Sequence, residues 1–240
     1  MTVIPQHYKG TNKRERVEEM FNSIAPRYDL LNRVLSGGID KKWRRNAIDQ
    51  LISIQPKRIL DIATGTADLA LESVRLSPFE IIGLDISNNM LNIGRDKIKQ
   101  RSLDNLIRLD QGDSENLPYT DNYFDAITVA FGVRNFENLE KGLSEMYRVL
   151  KPNGMIVVLE FSQPTSFPIK QFYNFYSKYI LPTIGSLISK ERSAYEYLPE
   201  SVKAFPYGNK FLDVLTKVKY KDTKCLPQTF GIASIYTARK

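Results

Sequence analysis

The sequence predicts an α/β fold, with a doubly wound, mostly parallel sheet, a helical extension before it and an antiparallel C-terminal edge. Three observations predict it. From residue 58 onward, short runs rich in β-branched residues alternate with helix-length amphipathic segments, the pattern of successive strand–helix–strand units. The first three runs each lead into a polar loop that carries an aspartate. Near the C-terminus two further runs flank Gln228–Gly231, as in a hairpin at a sheet edge.

Taken in order, Val17, Met20, Phe21 and Ile24 recur at i, i+3, i+4 and i+7, one face of a helix that ends before Pro26. A second helical stretch runs from Lys41 to Ile52, after the turn Ser36-Gly37-Gly38. Strands are expected at Arg58–Ile62, Glu80–Leu84, Asn105–Leu109, Phe124–Ala130 and Met155–Phe161. Helices are expected from the loop at Thr64–Thr66 to about Leu76, from Asn88 to about Lys99, and from Glu137 to Leu150. Phe167–Ile180 is dense in aromatics and reads as a helix, with Pro168 suited to its start. Val218–Cys225 and Gly231–Thr237 are the edge strands.

At 240 residues, 42% hydrophobic and 25% charged, the chain is long enough for one well-packed core and too short for a large second domain. One domain is expected over 1–240: a helical cap at 1–55, the sheet core at 56–165, and covering helices with the hairpin at 166–240. Cys225 is the sole cysteine, which excludes an internal disulfide and a multi-cysteine metal site. The sole histidine, His7, lies in a polar tail, so no histidine-based metal centre or catalytic triad is expected. No secretory signal or membrane span is visible, since the apolar stretch Tyr179–Ile188 is broken by Pro182 and Gly185. A cytoplasmic protein with a reduced thiol is expected.

The formal charge of +7 is concentrated at the two ends. Residues 1–45 carry ten Lys and Arg against five Asp and Glu, residues 170–240 twelve against five, and the middle twelve against seventeen. Basic flanks of this kind can meet an anionic membrane surface or a nucleic acid. The competing reading is a solvated surface with a basic excess.

In an open α/β sheet, ligands bind beyond the carboxyl ends of the strands, at the switch point. The first loop, Asp61-Ile-Ala-Thr-Gly-Thr-Ala-Asp68, holds one glycine, Gly65, where a dinucleotide fingerprint needs three. Pyrophosphate binding is therefore disfavoured, and with it NAD or FAD. One glycine between Thr64 and Thr66 suits a compact cationic ligand tail. The second strand ends at Asp85, placed to accept from both hydroxyls of a ribose. After the third, Gln111-Gly-Asp-Ser114 offers Asp113 to an adenine amino group. Singly, each aspartate reads equally as a helix N-cap. Three in order after three successive strands favour a nucleoside site.

Arg58–Asp68, Gly83-Leu-Asp-Ile86 and Gln111–Ser114 together resemble the class I methyltransferases that use S-adenosylmethionine (SAM). Tyr28-Asp-Leu-Leu-Asn-Arg-Val-Leu-Ser36 with Trp43-Arg44 is similar to the N-terminal signature of the ubiquinone/menaquinone biosynthesis C-methyltransferase family. Arg148-Val-Leu-Lys-Pro-Asn-Gly154, leading to Leu159-Glu-Phe-Ser162 and Pro164, is similar to its second signature. Phe131-Gly-Val-Arg-Asn135 between them is similar too. The likeness runs from about Val17 to the C-terminus and departs at two places. Asp40 stands where members often carry histidine, at a candidate active-site position. Asn153-Gly154 replaces a pair of glycines, and Asn tolerates the positive φ such a turn needs.

The resemblance implies a Rossmann-like enzyme that transfers a methyl group from SAM to a ring carbon of a prenylated quinol. It implies that Asp61, Thr64, Gly65, Thr66, Asp85, Asp113, Ser114 and Ala130 bind SAM, and that Arg134, Asn135 and Tyr28 lie near the quinol. A quinol carbon is a poor nucleophile until a neighbouring hydroxyl ionises, so the site needs a group that favours the phenolate. Arg134, Asn135, Tyr28, Asp29 and Asp40 are the candidates. A guanidinium stays protonated, so Arg134 is expected to stabilise the phenolate while Asp40, Asp29 or a water takes the proton. A structural ion pair is its competing role.

Phe172, Phe175, Tyr176 and Tyr179 share one helical face, which is expected to contact the isoprenoid chain or to pack into the core. Trp43 with Arg44 and Arg45 reads as a membrane-interface position or a buried one. Demethylmenaquinol is the favoured acceptor, because the Ile62–Asp68 form of the loop resembles menaquinone-only bacterial members. A ubiquinone precursor or another hydrophobic small molecule is the alternative. From a different class comes a non-enzymatic, basic surface-binding protein that has kept the fold. Nucleic-acid methylation is not expected, since Ala130–Arg134 occupies the place of an Asn/Asp-Pro-Pro-Tyr acceptor motif. Peripheral contact with the inner face of the cell membrane is expected, and a homodimer is left open.

Overall fold

The computed structural model describes residues 3–6, 8–180, 183 and 192–240. His7 and, apart from Thr183, the stretch Leu181–Ile188 lie outside the described residues. In chain order the helices are α1 (Lys13–Ile24), α2 (Tyr28–Ser36), α3 (Asp40–Asp49), α4 (Asp68–Ser73), α5 (Asn88–Gln100) and α6 (Leu139–Val149), then α7 (Ile169–Phe175), α8 (Arg192–Ala204) and α9 (Asn209–Lys217). The strands are β1 (Arg58–Ile62), β2 (Glu80–Asp85), β3 (Ile107–Gln111), β4 (Phe124–Ala130), β5 (Leu150–Phe161), β6 (Lys221–Gln228) and β7 (Ala233–Arg239).

Among the described residues these strands form one sheet in the order β3-β2-β1-β4-β5-β7-β6. β1 to β5 are parallel, and β7 and β6 continue the sheet antiparallel, as the sequence predicts. The order reverses between β1 and β4, so the loops after these strands leave in opposite directions and open a crevice. β1, β2 and β4 are Ile, Leu and Val runs buried on both faces, as parallel strands flanked by helices must be. Alternate residues serve opposite layers. Leu60, Ile62, Ile82, Ile127 and Val158 join one core, and Ile59, Ile81, Ala126, Val157 and Leu159 the other.

Side-chain caps set the starts of α1 and α5. Asn12 accepts from Glu15 N at 2.9 Å at the head of α1, and Ser87 from Met90 N at 3.2 Å at the head of α5, each satisfying an otherwise unpaired amide. α2 stops at Gly37, held at φ +60°, a conformation that a side chain resists. Met20, Ile24 and Leu31 of the N-terminal helices pack with Met90 of α5 and with Ala194 and Tyr197 of α8. This third apolar cluster joins the cap to the core.

Several elements differ from expectation. α2 carries Leu31 as its buried residue, too sparse a stripe to reveal a helix by period. β3 starts two residues late, because Leu106 N and Ile107 N bond back to Leu103 O and close a turn. β5 begins at Leu150 rather than Met155, with a register shift against β4 near Phe124. Within it, Asn153 takes φ +63°, as its place in the turn suggests. The two edge strands sit two to three residues later than expected. Trp43 is buried, its Nε1 donating to Thr229 Oγ1 at 2.8 Å, so it belongs to the core and not to a membrane interface. Among the described residues no helix is long and apolar enough to cross a membrane.

Helices α8 and α9 fall in the stretch 166–240 where covering helices are expected, but the sequence reading does not place them. Phe211 anchors α9: it is fully buried, with ring centroids 5.1 Å from Phe205 and 4.8 Å from Tyr236 of β7. Phe211→Ala should lower stability by about 3–5 kcal/mol, measured as a shifted urea midpoint at unchanged slope. A loss under about 1 kcal/mol means that α9 does not lock onto the sheet through this ring.

Candidate active site

The loops after β1, β2, β3 and β4 converge with α1 on a cavity of about 690 Å³. Its wall includes Gly65, Asp85, Asp113, Ser114 and Ala130, with Leu84, Ile86 and Met90 as apolar surface. Asp85 is buried and accepts from Gly65 N at 2.8 Å and Ser87 N at 2.9 Å. Burial pushes its carboxyl up to about 6, against those two donors. Asp113 meets Arg14 Nη1 of α1 at 3.1 Å and accepts from Glu115 N at 2.9 Å.

The β1 loop turns on three left-handed residues: Ala63 at φ +52°, Gly65 at φ +54° and Ala67 at φ +65°. Only the glycine was legible in the sequence, since alanine rarely takes this conformation. Beneath the loop, Asp61 accepts from Thr64 Oγ1 at 2.6 Å and Thr128 Oγ1 at 2.7 Å. Burial pushes Asp61 up to about 6 as well. With Thr64, Gly65 and Thr66 it lines a recess of about 400 Å³. Thr66 donates to Asp29 Oδ1 of α2 at 2.6 Å, and Lys97 Nζ donates to Thr66 Oγ1 at 2.9 Å.

A second cavity, of about 1140 Å³, is lined mainly by apolar side chains such as Met20, Ile24, Leu35, Trp43, Phe161 and Val202, together with Asp40, Arg44 and Arg134. Phe21, Tyr28 and Phe131 belong to both cavities, so the two meet there. Phe131 holds φ +59°, donates its N–H to Leu159 O at 2.7 Å, and stacks on Phe161 with centroids 4.5 Å apart. Burial raises the Tyr28 hydroxyl above its ordinary value, opposed by a hydrogen bond to Asn32. A phenol so shifted is a poor proton acceptor at neutral pH.

Arg134 and Asn135 follow in a short 3₁₀ turn, Val133–Asn135, and the turn divides them. Arg134 lines the second cavity and Asn135 the first. Arg134 Nη1 donates to Glu160 Oε1 at 2.8 Å and to Phe131 O. Its Nε is buried with no hydrogen-bond partner among the described residues. Asn135 Oδ1 accepts from Tyr197 OH at 3.1 Å. Lys13 Nζ donates to Arg134 O at 3.2 Å and Phe136 O at 2.7 Å, and burial pulls its pKa down to about 8. Sequence reasoning did not single out Glu160, although an acid inside the apolar run Leu159-Glu-Phe161 was the available signal.

Asp40 reaches the second cavity, but both of its oxygens are engaged. It accepts from Ser36 Oγ at 2.7 Å and from Arg44 Nη2 at 2.6 Å. Arg44 also meets Asp68 at 3.0 Å, and Lys97 meets Asp68 at 2.7 Å and Asp29 at 2.6 Å. The expected aromatic face needs correction. Phe172, Phe175 and Tyr179 are 69%, 57% and 53% exposed, lining neither core nor cavity, while Tyr176 and Tyr173 face the second cavity. Tyr176 OH is held by Leu35 O at 2.6 Å, which turns the helix so that these two rings point inward.

The ubiE/COQ5 methyltransferase family matches residues 9–240. This chain belongs to that family. A protein from Bacteroides fragilis named demethylmenaquinone methyltransferase is 51% identical over 95% of this chain and 94% of its own length. One from Geobacter sulfurreducens named ubiquinone/menaquinone biosynthesis C-methyltransferase is 47% identical over 97% and 91%. Among solved structures, a SAM-dependent methyltransferase from Thermotoga maritima superposes at TM-score 0.64 with 19% identity, covering 93% of this chain and 99% of that one. That likeness concerns the fold, which is the class I SAM-dependent methyltransferase fold. Members of the ubiE/COQ5 family take their methyl group from SAM, and this chain is a methyltransferase of that kind.

Proposed function

We propose that this methyltransferase methylates a ring carbon of a prenylated naphthoquinol, converting demethylmenaquinol to menaquinol. The observation that carries the reading is the junction at Tyr28 and Phe131. On one side lies a cavity rimmed by strand-end carboxylates, and on the other an apolar cavity holding a buried arginine with a free donor. The name of the Bacteroides fragilis relative supports the menaquinone precursor. The Geobacter sulfurreducens relative, named for both pathways, keeps a ubiquinone precursor as the second reading.

The first cavity fits SAM. Asp85 and Asp113 are acceptors where a nucleoside offers donors, and a Cβ on Gly65 would stand 4.0 Å from the Tyr28 ring, so the loop stays clear. SAM supplies an electrophilic methyl group on a sulfonium with a good leaving group. Asp85 accepts from the ribose hydroxyls, and Asp113 with Ser114 holds the adenine edge. Thr64, Gly65, Thr66 and Ala130 surround the methionyl end, and Asp61 braces that loop from below through Thr64.

On the acceptor side the chain orients the quinol and favours its phenolate, which accounts for most of what methyl transfer to carbon needs. Arg134 donates to the phenolate oxygen, while Asn135, anchored by Tyr197, shapes the cofactor side of the same turn. Asp40 serves as cavity wall, its charge committed to the buried pair with Arg44, and a water takes the proton. The isoprenoid tail lies along Tyr173 and Tyr176.

Such a substrate resides in the bilayer, and the outer face of α7 suits contact with a membrane surface. Phe172, Phe175 and Tyr179 are exposed beside Lys170 and Lys178. Each basic residue near an anionic surface contributes about 1 kcal/mol. The protein should cosediment with anionic vesicles and detach as salt rises, and Phe172→Ser with Phe175→Ser should weaken binding without altering SAM affinity. Binding indifferent to salt and to both substitutions counts against the contact.

Asp85→Asn should weaken SAM binding by about 1–3 kcal/mol, the scale of a charged hydrogen bond, in calorimetry on a folded protein. The native protein adds a pH signature. Donors from the ribose favour the carboxylate, so the bound form keeps Asp85 charged to lower pH than the free form at about 6. SAM affinity should therefore fall as pH drops through about 6, and Asp85→Asn should flatten most of that dependence. Unchanged affinity in the variant removes the ribose role.

Arg134→Ala should lower the methylation rate about 100–1,000-fold at saturating quinol, the usual effect of removing one oxyanion donor. Arg134→Lys keeps the charge without the planar fork and should retain more activity. Near-native turnover by the alanine variant, with SAM affinity intact, would end the phenolate-stabilising role.

A further inference from the structure

Glu160 is the acid of the Leu159-Glu-Phe-Ser162 stretch, and nothing said so far about catalysis uses it. It lies one residue before the end of β5 and is fully buried. A carboxylate there is tolerable only with a partner. Its Oε1 accepts from Arg134 Nη1 at 2.8 Å and from Phe161 N at 2.8 Å, and its Oε2 lies 3.4 Å from Arg134 N. It thus grips Arg134 at both the backbone and the guanidinium.

The manner of the grip matters more than its presence. Arginine–carboxylate pairs frequently use two parallel bonds between the guanidinium fork and the carboxylate. Here Glu160 takes one nitrogen, Nη1, which Phe131 O also binds. Nε is left buried with no partner among the described residues, on a side chain only 8% exposed. The Phe161 ring, 5.4 Å from the guanidinium carbon, bounds the group on another side. Held through Nη1 by Glu160 and Phe131 O, the guanidinium is fixed where Arg134 lines the acceptor cavity.

We propose that Glu160 is the positioning residue for Arg134, holding its guanidinium at the wall of the acceptor cavity and, through its own negative charge, limiting how easily the acceptor oxygen ionises. The inference rests on Arg134 as phenolate stabiliser. The electrostatic half follows from Coulomb interactions in a dry site. Arg134 favours the phenolate, and Glu160 beside it disfavours a second negative charge.

Other titratable groups sense this pair from the surrounding helices: Lys13 of α1, Tyr28 of α2, Tyr173 before the wider turn that ends α7, and Tyr197 of α8. Burial raises all three tyrosines, so they stay neutral at neutral pH. Lys13 loses its proton near 8, so Lys13→Met is measured alongside to separate its titration from the limb. Burial also raises Glu160, against the pull of Arg134.

The test is the pH profile of kcat with saturating SAM and demethylmenaquinol for Glu160→Gln and Glu160→Asp, each alone and with Arg134→Ala. Glu160→Gln keeps the shape and removes the charge. Its plateau should fall, and its acidic limb should move down by about one pH unit, because one charge beside an ionising group shifts it by about that much. Glu160→Asp keeps the charge but withdraws it, and misplacement near 1 Å costs about 100-fold. Its plateau should fall while the limb stays in place. With Arg134→Ala, neither substitution should lower the plateau further, while Glu160→Gln should still move the limb, and SAM affinity should be native throughout.

A Glu160→Gln limb at the wild-type position overturns the electrostatic half. Equal losses with and without Arg134 overturn the positioning role. If the glutamine variant does not fold, Glu160→Asp decides alone, and a wild-type plateau there overturns the proposal. Near-native activity of Arg134→Ala by itself removes the prior reading of the arginine, a separate outcome.

Discussion

Phe131 holds a backbone conformation that a bulky side chain resists, and the junction of the two cavities depends on it. At φ +59° the chain leaving β4 folds back far enough for its N–H to reach Leu159 O of β5. Its carbonyl then faces the turn that carries Arg134 and Asn135, and accepts from both side chains. The next residue adds a second constraint. A Cβ on Gly132 would stand 2.5 Å from the Cβ of Ala63, so the loops after β1 and β4 approach too closely for any side chain there. Strain of this kind costs about 1–3 kcal/mol and persists where surrounding contacts over-determine it. Stacking on Phe161 and the bond to Leu159 do that here.

The cap is set onto this junction by charge as well as by apolar packing. Asp29, Lys97, Asp68, Arg44 and Asp40 form a chain of alternating sign from α2 through α5 and the start of α4 to α3. Exposed pairs contribute little, but Arg44 and Asp40 are nearly buried, where losing one partner is costly. The chain fixes α2 at the height that brings Tyr28 over Gly65. Aspartate at position 40 therefore has a structural use: it anchors Arg44.

Much of the core was legible because its physics is local. β1 and β4 match their sequence limits residue for residue, since both are short, mostly apolar runs largely buried on both faces. Asp85 was legible for the same reason, being the first polar residue after such a run. Ala63 and Ala67 were not, because their left-handed backbone is imposed by the loop and alanine carries no mark of it. α8 escaped because Pro199 stands inside it, a residue that ordinarily ends a helix. Periodicity put Phe172, Phe175, Tyr176 and Tyr179 on one face, but Tyr176 turns inward to the second cavity while the other three look out, a split that the wider turn after Phe175 permits. Glu160 could be seen as a misplaced acid, while its partner, 26 residues distant, is a fact of tertiary structure.

Lys13 ties the first helix to the turn behind Arg134 through the carbonyls of Arg134 and Phe136. Val17 and Phe21 of the same helix line the first cavity. One helix thus walls a cavity on one side and braces the arginine's turn on the other, so a substitution that shifts it would disturb both at once.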